Sequence, residues 1–418
     1  MVRPRPRAPP ARRSQVGVVG RGDGPGVPPD PPPDRAAPGR GAGASRLALP
    51  LGEEPDRRPD LRRSRVVGHV AVVGGGLAGI AAALDCADAG HRVTLLESRA
   101  WLGGATFSIE RDGLWLDNGQ HVFMRCCTAY RAFVERIGAA DGVVLQDRLD
   151  VPVLAPGARG SRLRRSVLPA PLQLGSALAR YPFLTAADKA RLLPAVMALR
   201  RLPLDGPGVD GVTFAGWLAG HGQSANAVSA LWDLITLPTV NLPAAEASLV
   251  LAAKVFKTGL LEETDAADIG YATVPLRELH HDRALAALEV AGVDVRLRAS
   301  AAAVEAGTDD VVVRTEADAV EADAVVVAVT HEQIEALIAP HLPPGVSPGL
   351  LGRSAIVNLH VAYDRTVLDV PFAAGVRSPV QFVFDRTASS GLTDGQLLAV
   401  SLSGADALAD STIEELRA

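Results

Sequence analysis

The chain has few cysteines, few aromatic residues and no long apolar run, and each shortage excludes something. Its three cysteines are Cys86, Cys126 and Cys127, and the adjacent pair fits neither a C-x-x-C redox motif nor a zinc site. No apolar run reaches the roughly 18–20 residues of a membrane-spanning helix, and the basic N-terminus lacks the apolar core of a secretory signal. We therefore expect free thiols in a reducing cytoplasm, and leave open peripheral contact with the inner face of the membrane.

Charge is also sparse outside the first residues. The formal net charge is −5, and no acidic or basic block occurs after residue 65, so we expect no nucleic-acid partner. Residues 1–65 differ, because they hold fourteen arginines and fourteen prolines against seven acids and show no apolar periodicity. This composition predicts a disordered extension and favours one without a function of its own. The alternatives are a basic tail that binds anionic lipid or nucleic acid, and non-native sequence upstream of the true start.

The clearest positive feature is a glycine fingerprint that follows an apolar run at residues 70–73. Gly74 makes the turn from strand to helix, Gly76 lets the backbone approach a pyrophosphate, and Gly79 lets the helix pack closely on the sheet. The N-terminus of the predicted helix offers free N–H groups to phosphates. A second apolar run ends at Glu97, where a carboxylate can accept ribose hydroxyls. The order of these parts predicts dinucleotide binding.

The apolar pattern changes along the rest of the chain. Helical spacing dominates residues 151–270, which predicts a mostly helical lobe. An unbroken run at Val325–Val327 predicts a strand that is covered on both faces. Later apolar runs suit a second, substrate-side sheet. Ser411 and Glu414 have the spacing of a capping box, so a helix is expected to begin there.

The fingerprint, the Gly103-Gly104 pair and the late return to strands together resemble FAD-dependent oxidoreductases of the amine oxidase and phytoene desaturase superfamily. Three further stretches resemble its squalene-associated branch, which includes hydroxysqualene dehydroxylase: Asp117-Asn118-Gly119-Gln120-His121, residues 232–243 and Val274-Pro275-Leu276. This resemblance implies a bacterial flavoenzyme that reduces hydroxysqualene to squalene in hopanoid and squalene biosynthesis.

The resemblance also implies the architecture. We expect an α/β protein in which an interrupted Rossmann-like FAD-binding domain carries an inserted helical and mixed-sheet substrate domain. The expected divisions are a disordered extension at 1–65, FAD-binding parts at 66–150 and 271–345, a helical substrate lobe at 151–270, and substrate-domain strands at 346–418.

By the same resemblance, one set of residues would contact FAD. Glu97 would face the adenosine ribose, Val304 would pair with adenine through its backbone, and Gly119 would pass near the isoalloxazine ring. The full set is Gly74, Gly76, Leu77, Ala78, Gly79, Glu97, Gly103, Gly104, Gly119 and Val304.

Two departures from the family pattern stand out. Ala105 follows the glycine pair where the superfamily usually has arginine, so one phosphate contact is missing or comes from elsewhere. The sequence also ends before the Gly-Asp segment that closes over the flavin in the family. We therefore expect a C-terminally truncated chain.

Removal of a hydroxyl needs an acid near the leaving oxygen and a pocket that excludes water. His121 is the first candidate for this acid, because its ordinary pKa lies near working pH, and Asp117 is the second. Trp232 and Asn241 are candidates to line the substrate lobe. The pair His280-His281 is not expected to bind a metal, because adjacent residues of a helix point to different faces.

The main reading is a flavoenzyme that acts on a C30 isoprenoid lipid with an unidentified electron donor. The alternatives are an enzyme like phytoene desaturase or amine oxidase, and an inactive truncated fragment. Amine oxidation would call for an aromatic cage, and aromatic residues make up only 4% of the chain. An NAD dehydrogenase is less consistent, because no compact second nucleotide half follows Glu97.

Overall fold

The computed structural model describes residues 15–19, 67–308 and 310–417 of the chain. The strands are β1 (Gln15–Val19), β2 (His69–Val73), β3 (Arg92–Glu97), β4 (Ser108–Arg111), β5 (Leu114–Asp117), β6 (Val122–Met124), β7 (Val143–Leu145), β8 (Asp150–Leu154), β9 (Ser161–Arg164), β10 (Ile269–Ala272), β11 (Asp294–Leu297), β12 (Ala301–Ala306), β13 (Val311–Thr315), β14 (Ala319–Ala322), β15 (Ala324–Val327), β16 (Val357–Tyr363), β17 (Phe372–Gly375), β18 (Phe382–Asp385) and β19 (Gln396–Leu402).

The helices are α1 (Leu77–Asp88), α2 (Thr128–Arg136), α3 (Gly175–Arg180), α4 (Ala186–Arg201), α5 (Phe214–Gly220), α6 (Ala225–Ala227), α7 (Asp233–Val240), α8 (Leu249–Phe256), α9 (Ala284–Val290), α10 (His331–Ile338), α11 (Thr387–Ser390) and α12 (Ile413–Arg417). Shorter 3-10 turns lie between them. Three segments of π-helix occur at Val228–Trp232, Lys257–Leu261 and Glu278–Arg283.

A four-stranded parallel sheet forms the nucleotide unit, in the order β11-β3-β2-β15. Its two central strands come from residues 69–97, and its outer strands come from residues 294–327. The central strands are almost wholly buried, as expected of strands covered on both faces. The predicted α/β class and the interruption of the Rossmann-like domain are therefore confirmed.

The core below this sheet explains why α1 forms where it does. Ile80, Ala83 and Leu84 repeat at helical spacing and are buried against Leu95 of β3 and Leu288 of α9. Burial of each large aliphatic side chain contributes about 1.5–3 kcal/mol. Packing of one apolar stripe thus stabilises a helix that no side chain caps at its N-terminus.

A three-stranded antiparallel sheet, β12-β13-β14, belongs to a second core against the nucleotide unit. Val304, Val313 and Val320 are buried there with Ala71 of β2 and Leu337 of α10. This packing fixes β12, the strand that carries Val304, beside the parallel sheet.

A seven-stranded mixed sheet forms the second half of the molecule, in the order β1-β16-β19-β18-β17-β8-β9. Neighbours pair antiparallel except β17 and β8, which are parallel. β8 and β9 precede the helical lobe in the chain, whereas β16–β19 follow it, so both ends of the insertion join one sheet. β1 pairs with β16 and departs from the disorder expected for residues 1–65; the rest of that range lies outside the described residues.

The helices α3–α8 supply most of the core that packs on this sheet. Phe214 of α5 lies 5.7 Å from the ring of Trp232 and 5.4 Å from the ring of Phe256, measured between centroids. Phe372 of β17 is buried in the same cluster. The predicted helical lobe at residues 151–270 thus consists of six α-helices within the described residues, with β8, β9 and β10 at its ends.

Two smaller findings concern the end of the chain and its longest helices. The expected C-terminal helix is α12, but the capping residues are Thr412 and Glu415, one position later than predicted: Glu415 N donates to Thr412 Oγ1 at 3.3 Å.

Among the described residues, no helix is both long enough and apolar enough to cross a membrane.

Candidate functional site

The glycine fingerprint forms a cradle of bare backbone between β2 and α1. Gly74 has φ +103°, and a Cβ at Gly79 would lie 1.8 Å from the carbonyl oxygen of Gly74. Only glycine fits at Gly79, because that contact is with rigid backbone. No side chain caps α1, so the N–H groups of its first turn, Leu77 and Ala78 among them, are available to a phosphate.

The second glycine pair closes on this cradle from the opposite side. Gly103 N donates to Gly75 O at 2.8 Å, and Gly104 has φ +58°. A Cβ at Gly104 would lie 2.9 Å from the Cα of Gly76. The two loops therefore approach so closely that a side chain on either would fill the space between them.

Glu97 lies at the end of β3 and is almost wholly buried against this turn. Its Oε2 accepts from Gly75 N at 2.7 Å, and its Oε1 accepts from Arg99 N at 2.7 Å and from Ser98 Oγ at 3.1 Å. The carboxylate thus holds the glycine turn in place. It also lies where a contact with the ribose is predicted.

Arg99 was not singled out from the sequence, yet it brings a cation to the glycine pair. Its Nη1 donates to Gly104 O at 3.1 Å, and its guanidinium stands 5.4 Å from the centroid of the Phe107 ring. The departure at Ala105 therefore does not leave this turn without an arginine. In the sequence, the feature that could have predicted this contact is the basic residue two positions after Glu97.

The segment 117–121, which we call the flavin-side loop, begins with a buried ion pair. Asp117 Oδ2 accepts from Arg386 Nη2 at 2.7 Å, and Asp117 Oδ1 accepts from Ser108 Oγ at 2.7 Å and from Leu276 N at 3.1 Å. Arg386 also donates to Ala272 O and Val274 O. Asp117 thus joins the loop to the seven-stranded sheet and to the Val274-Pro275-Leu276 stretch.

His121 stands at the other end of the flavin-side loop. Water reaches its side chain, yet the protein around the ring lowers its pKa through desolvation, against the opposing effect of Asp117. Its Nε2 would be 3.7 Å from a Cβ at Gly119, and Asn358 Nδ2 would be 3.1 Å from the same point. The bare face of Gly119 is therefore bracketed by His121 and Asn358.

The π-helix at Glu278–Arg283 places both adjacent histidines in the interior. His280 Nε2 lies 3.0 Å from Tyr130 Oη, and His281 Nδ1 accepts from Leu102 N at 3.1 Å. Burial lowers the pKa of His280 to about 4, with a further lowering by His121, and burial also lowers the pKa of His281. Among the described residues no cluster of ligands could hold a metal ion.

Trp232 and Asn241 lie in the helical lobe but are engaged by protein. Trp232 Nε1 donates to Gln223 Oε1 at 3.0 Å. Asn241 adopts φ +56° at the end of α7, donates to Ser354 O at 2.9 Å and accepts from Gly404 N at 2.7 Å. Both side chains therefore fix the lobe and its junction with the large sheet.

The described residues fit a bound flavin dinucleotide at the paired glycine loops. These loops leave a cradle of bare backbone that a Cβ at Gly104 would fill, and no side chain caps the N–H groups at the start of α1.

Residues 77–417 match the family described as flavin containing amine oxidoreductase. A zeta-carotene desaturase of Zea mays is 31% identical over 176 residues, which is 39% of this chain and 30% of that protein. A 15-cis-phytoene desaturase of Narcissus pseudonarcissus is 32% identical over 163 residues, or 37% of this chain and 28% of that protein. The chain thus spans less than a third of the length of these two relatives.

Solved structures share the fold at lower identity. Wild-type putrescine oxidase superposes with a TM-score of 0.63 and 22% identity, covering 83% of this chain and 78% of its own. Cyclohexylamine oxidase from Brevibacterium oxydans gives a TM-score of 0.60 and 20% identity, covering 84% and 79%. These likenesses concern the fold alone.

Proposed function

We propose that this chain, a member of the flavin containing amine oxidoreductase family with FAD as its cofactor, is an oxidoreductase whose substrate is a long isoprenoid hydrocarbon. We further propose that the reaction is desaturation, the removal of two hydrogens across a carbon–carbon bond. The curated relatives named above support this choice over the dehydroxylation implied by sequence resemblance.

We assign the FAD contacts to the two glycine loops and their neighbours. The helix N-terminus and Arg99 would face the phosphates, and residues 66–150 and 271–345 would together form the cofactor domain. The proposed contact set is Gly74, Gly76, Leu77, Ala78, Gly79, Glu97, Arg99, Gly103, Gly104, Gly119 and Val304. The helical lobe and the seven-stranded sheet would hold the substrate.

The position of His121, exposed beside the bare face of Gly119, is the observation that carries the reaction assignment. When bound, FAD supplies the hydride acceptor for this chemistry. Desaturation also releases a proton, which needs a base. An exposed imidazole can accept that proton, and burial of the ring lowers the pKa of His121, which favours its neutral form. We therefore assign His121 as a base, not as the acid expected from sequence.

Asp117 has a different part in this proposal. Its carboxylate is occupied by Arg386, Ser108 and the backbone of Leu276, so we assign it to positioning the flavin-side loop. With both oxygens engaged by protein donors, this carboxylate is committed to structure and is not free to reach a substrate.

The lobe offers an apolar wall for such a substrate. A cavity of about 230 Å³ lies between α7 and the turn from β17 to β18. Leu234, Leu237, Val376 and Pro379 form its apolar side, and Asp233 and Arg377 form part of its polar side. This cavity is too small for a whole C30–C40 chain, so we assign it to one end of the substrate.

Reductive dehydroxylation of hydroxysqualene is the second candidate. It is favoured by the meeting of two of the three squalene-branch stretches, since Leu276 N donates to Asp117. This reaction needs an acid at the leaving oxygen, and the lowered pKa of His121 disfavours the protonated form that would serve as one.

Product analysis separates the two reactions. The FAD-loaded chain is incubated with zeta-carotene or phytoene and an electron acceptor, and separately with hydroxysqualene and a reductant, and products are identified by mass. If the reaction is desaturation, the product is lighter than the substrate by two hydrogens, and His121→Phe no longer forms this product. Formation of squalene with no carotene product would instead establish the second candidate.

A further inference from the structure

A short loop between β9 and α3 presents a group of apolar side chains to solvent. It spans residues 167–172, which we call the apolar loop, and it contains two prolines and no charged residue. Val167 is 80% exposed, and Leu168 and Leu172 are 48% and 47% exposed. Single exposed apolar side chains are ordinary on a protein surface, but several grouped together indicate a surface that makes contact with something else.

The base of the apolar loop is closed and anchored by hydrogen bonds. Ser166 N donates to Gln173 O at 2.7 Å, and Ser166 Oγ donates to the same oxygen at 3.0 Å. The Gln173 side chain is buried, and its Nε2 donates to Leu260 O in the helical lobe at 2.7 Å. The fold therefore holds these apolar side chains in solvent on an anchored loop instead of packing them into the core.

The chain on both sides of the apolar loop is basic. Residues 151–187 contain five arginines and no acidic residue. In the β8–β9 hairpin, the strand register places Arg162 and Arg164 on the same outer face as Leu154, which is 45% exposed. The hairpin that leads into the loop thus combines apolar and positively charged side chains on one exposed face.

Positive charge remains after the ion pairs of this region are counted. Asp150 pairs with both arginines of the outer face, and Asp268 pairs with Arg165. Arg159 before the loop and Arg180 after it are exposed, and neither has an ion pair among the described residues. Apolar side chains flanked by surplus arginines match a bilayer with anionic headgroups, which attracts the charges and buries the apolar groups.

A protein partner fits this surface less well than a bilayer does. A contact between two copies about a twofold axis would set the arginines of one copy against those of the other, because such an interface uses the same patch twice. A standard protein interface uses about 20–30 residues on each side, whereas the apolar loop has six.

We propose that the apolar loop inserts into the headgroup region of an anionic lipid bilayer, with the surrounding arginines on the lipid phosphates. This inference goes beyond the proposed function and does not depend on it. If the substrate is a long isoprenoid hydrocarbon, it is itself dissolved in such a bilayer. The anchor at Leu260 then brings the helical lobe, to which we assign the substrate, to the membrane surface.

The test is sedimentation of the full chain with lipid vesicles, without any isoprenoid. One set of vesicles is phosphatidylcholine alone, and the other also contains the anionic lipid phosphatidylglycerol. We expect at least about tenfold stronger binding to the anionic vesicles, and weaker binding as salt is added. Val167→Asp puts a negative charge on the most exposed apolar residue of the loop, and we expect it to weaken binding to anionic vesicles at least about tenfold.

Val290→Asp is the matched control. Val290 is 90% exposed at the end of α9, outside the apolar loop, so this variant adds the same charge without changing the loop. We expect it to change vesicle binding less than about threefold. Should Val167→Asp fail to fold, Val167→Ser and Val290→Ser repeat the comparison without a charge.

Three results would overturn the proposal. They are equal binding to the two kinds of vesicle, an equal loss in the Val167 and Val290 variants, and a dimer of the unchanged chain that Val167→Asp dissociates while vesicles bind neither. The last result would assign the loop to self-association. Failure to turn over an isoprenoid would instead refute the proposed function and leave the vesicle result standing.

Discussion

The buried pair between Asp117 and Arg386 makes the flavin-side loop a single structural unit with the large sheet. Their side chains are 5% and 8% exposed, and the atoms are 2.7 Å apart. Asp117→Asn keeps the shape but leaves the guanidinium buried without its counter-charge. Removing one partner of such a pair costs about 3–5 kcal/mol. Because Arg386 retains the carbonyls of Ala272 and Val274, we expect the lower end, about 3 kcal/mol.

Urea unfolding followed by tryptophan fluorescence measures this loss, provided that a second probe gives the same transition. Asp88→Asn is the control: Asp88 also pairs with an arginine, accepting two hydrogen bonds from Arg136, but both side chains are about half exposed. We expect it to cost less than about 1 kcal/mol. If Asp117→Asn costs no more than Asp88→Asn, the pair does not hold the loop and this reasoning is wrong.

Three other changes test the cofactor cradle and its histidines. Gly104→Ala should weaken FAD binding at least tenfold in a fluorescence titration, because its Cβ would meet the backbone of Gly76. Gly90 also has a positive φ, +91° against +58°, but has open space around it, so Gly90→Ala should leave the affinity unchanged. Arg99→Gln should weaken FAD binding without unfolding the chain; equal affinity would remove Arg99 from the phosphate site. The pKa of His280 lies near 4 in the folded chain, below its value near 6.5 in the unfolded chain. The buried neutral imidazole therefore lowers the free energy of unfolding only below pH 6.5. Between pH 6.5 and pH 4 the loss is up to about 1.4 kcal/mol per pH unit. Urea unfolding at pH 7.5 and 5 should show this loss, and a slope unchanged in His280→Gln would contradict it.

The nucleotide unit could be predicted from sequence because all of its determinants are local. The fingerprint, α1 and Glu97 fall within about thirty residues, and each has a spacing rule that the backbone imposes. The helical lobe was predictable for the same reason, since apolar periodicity within a helix reflects the face that it buries.

The partners of the flavin-side loop could not be predicted in this way. Arg386 is 269 residues from Asp117, and Asn358 and His360 lie 240 and 243 residues from the backbone atoms that they hold. No periodicity links such positions; only the pairing of β16, β18 and β19 brings them to the loop. Asp117 was expected to be a candidate acid because its type suits proton transfer, but its burial beside Arg386 depends on that distant pairing.

The most direct test of the account is the visible spectrum of the FAD-loaded chain when it is mixed anaerobically with a long isoprenoid. We predict that zeta-carotene or phytoene bleaches the flavin band near neutral pH, and that His121→Phe binds FAD equally but bleaches far more slowly. A flavin band that isoprenoids leave unchanged, while a primary amine such as putrescine bleaches it, would contradict the account and assign the chain to amine oxidation.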